Sequence, residues 1–410
     1  TAPGDVVRVE ITRDMKRYSE AKLVDVVEPS SVRTEPRCSV YNRCGGCQWQ
    51  HIDYETQLEW KERIFLDSIK RIAGIEPPKL EPSVAAPEHY NYRSRASFHI
   101  SEKGWGFFAV GTNDVVDFDE CHLLVKEVNE TFAALKSILK GKLDTLEGLD
   151  IGYSPDDGKT TALFFIDTLT DFDWKGALSG VENLKGYEVS VRERGFGKGT
   201  LVSSEGDPRL VCDIEGMLIE ANLSIFTQVN HAQNLNLVKK VTGYAALDAP
   251  GTIVDLFSGV GNFALPLARG GSVVKAVEED QLASAIAEAN AFLNGFYELE
   301  FICNSSFKWI NEKETKNLAS GNLDVLVLDP PRGGDKDTAA GLLELMPKRI
   351  VYISCNPPTM ARDLSILAAL QGEAKDGGAK AGYTIKSAGI IDMFPQTYHT
   401  EAVVRLEGNC

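Results

Sequence analysis

The sequence predicts an α/β protein. Its C-terminal part reads as a Rossmann-like, doubly wound parallel sheet, preceded by a β-rich middle region and a short barrel-like N-terminal segment. Three observations predict this. From about residue 226, the apolar runs TIVDLF, SVVKAVE, LDVLVLD and RIVYISC alternate with helical segments, as in a parallel sheet covered by helices on both faces. The first of these runs opens into a glycine turn, SGVGNFA. Between about Tyr90 and Leu223, RASFHI, GWGFFAV, TALFFIDT, YEVSVRE and MLIEANLSI are strand-like runs broken by Gly and Asp turns.

The elements follow in order. Residues 5–28 alternate apolar and polar in two runs around a charged turn, as strands of a small β-barrel would. A cysteine-rich loop spans Pro36 to Gln50. In TQLEWKERIFLDSIKRIAG, Leu58, Phe65, Ile69 and Ile72 recur at helical spacing and Gly74 suits a C-terminal cap. After the middle region and the alternating region, QGEAKDGGAKAGY (371–383) reads as an insertion before a closing pair of strands.

With 410 residues and 43% hydrophobic content, the chain can bury a large core divided among two to four domains. It has no run of about 18 apolar residues. TAPGDVVRVE lacks the basic and then apolar character of a secretory signal, so the expectation is a cytoplasmic protein without membrane partners. The net charge of −16 is uneven: residues 1–110 carry 16 basic and 16 acidic side chains, leaving 27 against 43 beyond. Such acidity opposes non-specific nucleic-acid binding, which rests on phosphate neutralisation. An RNA partner would need a local basic surface, with Arg33, Arg37, Arg43, Arg93 and Arg95 as candidates.

The glycine turn gives Gly259, Gly261 and Ala264 as G-x-G-x-x-A, with Glu278 ending the next strand. Glycines permit close approach of a ligand to the backbone, and a carboxylate there accepts ribose hydroxyls. A dinucleotide and S-adenosylmethionine (SAM) both fit. The following strand ends in Asp329-Pro330-Pro331-Arg332 at the carboxyl edge, where open α/β sheets bind ligands. The next ends in YISCNPP and brings Cys355 to the same edge. A lone cysteine after a strand is more often buried and inert; beside a ligand-binding turn and a stiff acidic loop, it becomes a candidate nucleophile. Among the eight cysteines, Cys38, Cys44 and Cys47 fall within ten residues, and Cys121 follows later. That clustering points to metal, with zinc and iron–sulfur both compatible.

FTQVN, DLFSGVGNF, LDPPRGG, YISCNPPTMARD and DMFPQTYHTEAV, in this order, together resemble the SAM-dependent RNA uridine C5-methyltransferases. Upstream, GDVVRVEITRDMKRYSEAKLVDVVEPS looks like the later part of that family's OB-like TRAM barrel, and the cysteine spacing resembles the [4Fe-4S] ligands of the 23S ribosomal RNA branch. The resemblance implies a partial barrel over 1–35, an iron–sulfur and RNA-recognition domain over 36–55 and 89–225, and a catalytic domain over 56–88 and 226–410.

By the same resemblance, Cys355 is the nucleophile and Glu401 the base. Gln228, Phe257, Gly259, Gly261, Asn262, Glu278, Ser305 and Asp329 serve SAM; Cys38, Cys44, Cys47 and Cys121 hold a [4Fe-4S] cluster. The implied substrate is a uridine of 23S rRNA, with tRNA as the alternative and a monomer as the acting species. A non-catalytic RNA-binding protein would not need this nucleophile and base. Ser258, Gln396 and the 371–383 insertion depart from the family pattern. Tyr92, Arg93, Arg95, Phe107 and Phe108 are expected near the RNA, although ordinary strand packing competes for the two phenylalanines.

Overall fold

The computed structural model describes residues 1–16, 18–192, 199–316, 323–368 and 382–408; most of the expected 371–383 insertion lies outside the described residues. The alternating pattern from residue 226 folds as a seven-stranded sheet. Its parallel strands are β12 (Thr252–Leu256), β13 (Val273–Glu278), β14 (Glu300–Cys303), β15 (Val325–Leu328) and β16 (Arg349–Ser354). The closing pair is β17 (Tyr383–Ile391) and β18 (Glu401–Gly408), and the spatial order is β14-β13-β12-β15-β16-β18-β17. The order reverses between β12 and β15, so a crevice opens at their carboxyl ends.

Alternate residues of these strands enter two cores. Ile253, Val325, Val327, Val351 and Val403 pack on one face with α4 (His231–Ala245) and α5 (Ala264–Ala268). Val254, Leu256, Leu326, Leu328 and Tyr352 pack on the other with α9 (Lys336–Leu345) and α10 (Pro357–Ala368). Three helices complete this unit: α6 (Gln281–Leu293), α7 (Ser306–Ile310) and α8 (Lys313–Lys316).

The helix expected after the cysteine loop is α1 (Tyr54–Ser68). It widens into a π-helical turn over Ile69–Ala73 and stops at Gly74, whose φ of 67° is the left-handed value expected of such a cap. Phe65 and Ile69 enter the α9/α10 core, but Ile72 is exposed. The remaining buried positions of α1 include Gln57 and Lys61, so the helix docks through a partly polar face.

The middle region forms a second seven-stranded sheet, order β5-β4-β3-β6-β7-β8-β9. Its strands are β3 (Arg95–Ser101), β4 (Gly104–Phe108), β5 (Val115–Asp117), β6 (Leu146–Ser154), β7 (Lys159–Ile166), β8 (Leu184–Val191) and β9 (Thr200–Gly206). The five strand-like runs all lie on strands, and further strands and two helices join them. α2 (Lys126–Leu139) covers one face through Val128, Phe132, Leu135 and Leu139, and the short α3 (Trp174–Leu178) joins the same core. A hairpin of β10 (Leu210–Ile214) and β11 (Met217–Ala221) bridges the two sheets: Leu210 packs with Leu163 and Phe165, and Ile219 with the α4 core.

Residues 1–35 contribute one antiparallel ribbon, β1 (Val6–Asp14) with β2 (Ser19–Glu28). No closed barrel forms from them among the described residues. No helix among the described residues is long and apolar enough to cross a membrane.

Candidate active site at the carboxyl edge of the parallel sheet

The chain leaves β12 through a turn with three left-handed residues: Phe257 (φ 61°), Gly259 (φ 53°) and Gly261 (φ 92°). The φ of Gly261 strains any L side chain there, and a Cβ would also lie 2.3 Å from Leu265 Cδ1. Phe257 adopts that conformation without being glycine, a local strain of the kind that collects at functional sites. Glu278 accepts the Gly259 N–H at 2.9 Å and the Asp280 N–H at 2.7 Å, which places its carboxylate against the turn.

After β15 the chain continues as Asp329-Pro330-Pro331-Arg332 and is fastened to α10. Asn356 Nδ2 (3.0 Å) and Thr359 Oγ1 (3.2 Å) donate to the Arg332 carbonyl. Asp363, fully buried, accepts the Asp335 N–H at 3.0 Å and the Tyr352 hydroxyl at 2.7 Å.

Cys355 and Glu401 meet through strand register. β18 runs antiparallel to β16, and the last pair is Ser354 with Ala402. One step further along each strand come Cys355 and Glu401, which line one cavity of about 550 Å³ with Asp329 and Arg332. Its walls also include Gln228, Phe257, Gly259 and Glu278. Five of the eight residues expected to serve SAM therefore share a cavity with the expected nucleophile and base.

The cavity concentrates acids. Burial, reinforced by the charge of Asp329, holds the Glu401 carboxyl well above its usual range, with Arg332 opposing. Burial pushes Asp329 up to about 7. The Cys355 thiol is pushed up to about 11 by burial and then by Glu401 and Asp329, while Arg332 opposes. Cys355 also sits two residues before the start of α10, whose dipole favours a thiolate. Among the described residues that line the cavity, Arg332 is the only cation.

The other expected site residues are distributed differently. Asn262 exchanges two amide hydrogen bonds with Asn234, at 2.8 and 3.1 Å. It lines a smaller cavity of about 90 Å³ that shares Gln228, Phe257 and Asp329 with the large one. Ser305 caps α7 by accepting the Lys308 N–H and lines neither cavity; nor does Gly261.

The basic surface expected for RNA is largely committed to the fold. Arg95 is bound to the Leu223 and Ile225 carbonyls, and Arg33 pairs with Asp5 at 2.8 Å. Phe107 stacks on Phe98, and Phe108 on His99, so strand packing prevails for both. Tyr92 is buried, with its hydroxyl on the Pro395 carbonyl at 3.1 Å. Sequence reasoning missed Arg332 as a wall of the cavity, although its place in LDPPRGG was a signal. It also missed Gln57 and Lys61, which break the apolar stripe of α1 four residues apart.

Cys38, Cys44, Cys47 and Cys121 line a second cavity of about 220 Å³, together with Val40, Phe107, Phe118 and Leu123. All four are free thiols. Burial, with the neighbouring cysteines adding, pushes Cys47 up to about 12 and Cys121 to about 11. Among the described residues, no group of three or more His, Cys, Asp and Glu side chains is arranged to hold a metal ion. What the four cysteines share is the wall of this one cavity.

The fold and its relatives together define a SAM-dependent RNA methyltransferase. The model of the tRNA (Uracil-5-)-methyltransferase family matches residues 53–409, and the chain belongs to that family. It is 33% identical to an RNA methyltransferase of Aquifex aeolicus, over 99% of this chain and 92% of that one. It is 31% identical to the 23S rRNA (uracil(1939)-C(5))-methyltransferase RlmD of Shewanella sediminis, over 99% and 89%. Among solved structures, the Pyrococcus abyssi tRNA (uracil-54, C5)-methyltransferase in complex with S-adenosyl-L-homocysteine is similar at a TM-score of 0.75. The two are 26% identical, with 99% of this chain and 94% of that one covered.

Proposed function

We propose that this enzyme methylates carbon 5 of a uridine in 23S rRNA through a covalent adduct between Cys355 and carbon 6. The observation that carries the reading is that Cys355, Glu401 and Asp329 line one cavity with the glycine turn and Glu278. The rRNA assignment rests on similarity to RlmD enzymes.

Carbon 5 of uracil is a weak nucleophile, and covalent addition at carbon 6 activates it. Bound SAM supplies the methyl group as a sulfonium electrophile. Having given its proton up to solvent, Cys355 Sγ adds as the thiolate to carbon 6, and the electron pair of the 5,6 double bond moves toward carbon 5 and the carbonyl at carbon 4. Once carbon 5 carries the methyl, Glu401 takes its proton; the double bond re-forms and the S–C6 bond breaks, returning the thiolate. Arg332 opposes the acids and stabilises that thiolate. Glu278 would accept the ribose hydroxyls, and Gln228, Phe257, Gly259, Gly261, Asn262 and Asp329 would complete the cofactor site, with Ser305 toward the adenine. A uracil reaches the recessed thiol only when extruded from its stack.

The four cysteines around the second cavity fit a [4Fe-4S] cluster, which would tie the loop at 38–47 to the middle sheet at Cys121. On this reading residues 36–55 and 89–225 are the cluster and RNA-recognition domain, and 56–88 with 226–410 the catalytic domain. Methyl transfer from tritiated SAM to 23S rRNA and tRNA transcripts tests the substrate. Label in 23S rRNA alone is expected, and label in tRNA alone overturns the rRNA assignment.

A further inference from the structure

The segment from Asp392 to Thr400 joins β17 to β18 and delivers Glu401 to the cavity. Five successive carbonyls in it are held by other parts of the chain. Gln233 Nε2 donates to Asp392 O at 2.9 Å, and Asn230 Nδ2 to Met393 O at 3.2 Å. Lys61 Nζ donates to Phe394 O at 3.0 Å, and the Tyr92 hydroxyl to Pro395 O at 3.1 Å. The Gln48 and Trp49 N–H groups donate to Gln396 O at 3.2 and 3.0 Å.

Side chains of α1 grip the segment at both ends. Lys61 Nζ lies 2.6 Å from Asp392 Oδ1, and both side chains are fully buried. One turn earlier, Gln57 Nε2 donates to Gln396 Oε1 at 3.0 Å, and the Gln396 N–H donates back to Gln57 Oε1 at 2.9 Å. Gln396 is buried and left-handed (φ 69°) without being glycine. Such backbone persists only where its surroundings over-determine it.

A buried ion pair is a poor source of stability, because the desolvation of both charges offsets their attraction. Two apolar side chains would fill the same space at no such cost. What the pair and the amide exchange supply is position. They fix both ends of a five-residue stretch whose middle residue, Phe394, lines the cavity with Cys355 and Glu401.

From this we infer that Gln57 and Lys61 are positioning residues for Glu401, holding the 392–396 segment so that the carboxylate reaches the proton on carbon 5. The inference rests on Glu401 being the base, as proposed above. A misplaced base leaves thiolate addition and methyl transfer intact and slows the step after them. Methylated enzyme–RNA adduct then accumulates, which mere loss of stability would not produce.

The test measures Gln57→Ala, Lys61→Met and Gln396→Gly beside Glu401→Gln. Gln396→Gly relieves the left-handed strain and deletes the bond from Gln57 Nε2 to Gln396 Oε1, while the backbone N–H bond to Gln57 Oε1 remains. Each variant is assayed for S-adenosylhomocysteine binding, kcat and KM, denaturation-resistant methylated RNA adduct, and the isotope effect with RNA deuterated at carbon 5 of the target uridine. The expected result is roughly tenfold to hundredfold lower kcat, KM and cofactor binding within about twofold, more adduct, and a larger isotope effect. Unchanged kcat, or lower kcat without adduct and isotope effect, overturns the inference. Loss of cofactor binding in all three clamp variants also overturns it, since their role would then be to hold the fold. If Glu401→Gln itself fails to accumulate adduct, the assignment of the base fails; if only the clamp variants fail to, the clamp alone is refuted.

Discussion

Cys355 and Glu401 lie one step beyond Ser354 and Ala402, the last residues that β16 and β18 pair, and line one cavity. The antiparallel β18 thus returns a carboxylate from the chain's end to the edge where the parallel strands present their loops. Sheet register brings the two groups together, and the clamped 392–396 segment leads the chain into β18.

The acids around that pair set a pH dependence. A base must be ionised to accept a proton, and both Glu401 and Asp329 are held above the ordinary carboxylate range. The single-turnover rate at saturating SAM should therefore keep rising with pH above the range in which an ordinary carboxylate is already ionised. Asp329→Asn removes a negative neighbour that raises Glu401, so its profile should shift to lower pH. A flat wild-type profile, or an unshifted variant, contradicts this electrostatic arrangement.

Asp329 should also cost stability. Its carboxyl titrates at about 7 in the folded chain against a reference of 3.8. Between these values the folded state holds more protons than the unfolded one, so stability falls as pH rises through that window. Asp329→Asn escapes the loss. Thermal melts should show the variant on the order of 1–2 kcal/mol more stable at pH 8, with the gap closing toward pH 4. A variant less stable at pH 8 contradicts the assignment.

Glu278 holds the Gly259 and Asp280 N–H groups beside the expected ribose position. Glu278→Ala should weaken S-adenosylhomocysteine binding about tenfold to hundredfold, the loss of about 1.5–3 kcal/mol that hydrogen bonds to a charged group supply. Calorimetric titration measures it, and an unchanged Kd removes Glu278 from the cofactor site.

Protein purified without oxygen should contain about four iron and four sulfide per chain. Cys121→Ser should lower both and reduce the melting temperature, because the middle sheet would lose its tie to the cysteine loop. Zinc in place of iron, or full iron in Cys121→Ser, contradicts the proposed ligand set.

The catalytic sheet was legible because its strands are continuous apolar runs ending in turns with strong chemistry; TIVDLF, LDVLVLD and RIVYISC each became a strand of the parallel sheet. α2 was not read, although Val128, Phe132, Leu135 and Leu139 recur at helical spacing; the strand-rich texture around KEVNETFAALKSIL concealed it. Cys355 and Glu401 were legible only through their motif contexts, since the register that joins them is a tertiary fact. Gln57 and Lys61 were least legible, as their partners Gln396 and Asp392 lie 339 and 331 residues away. A helix face looks merely imperfect until its polar residues find such partners.

The covalent step can be tested most directly with target RNA carrying 5-fluorouridine, whose fluorine cannot leave as a proton does. Incubation with methyl-labelled SAM, followed by denaturation, digestion and mass spectrometry, should give one peptide bearing the methylated nucleotide on Cys355, and no adduct from Cys355→Ala. An adduct on another residue, or a Cys355→Ala enzyme that still methylates ordinary RNA, would contradict the account.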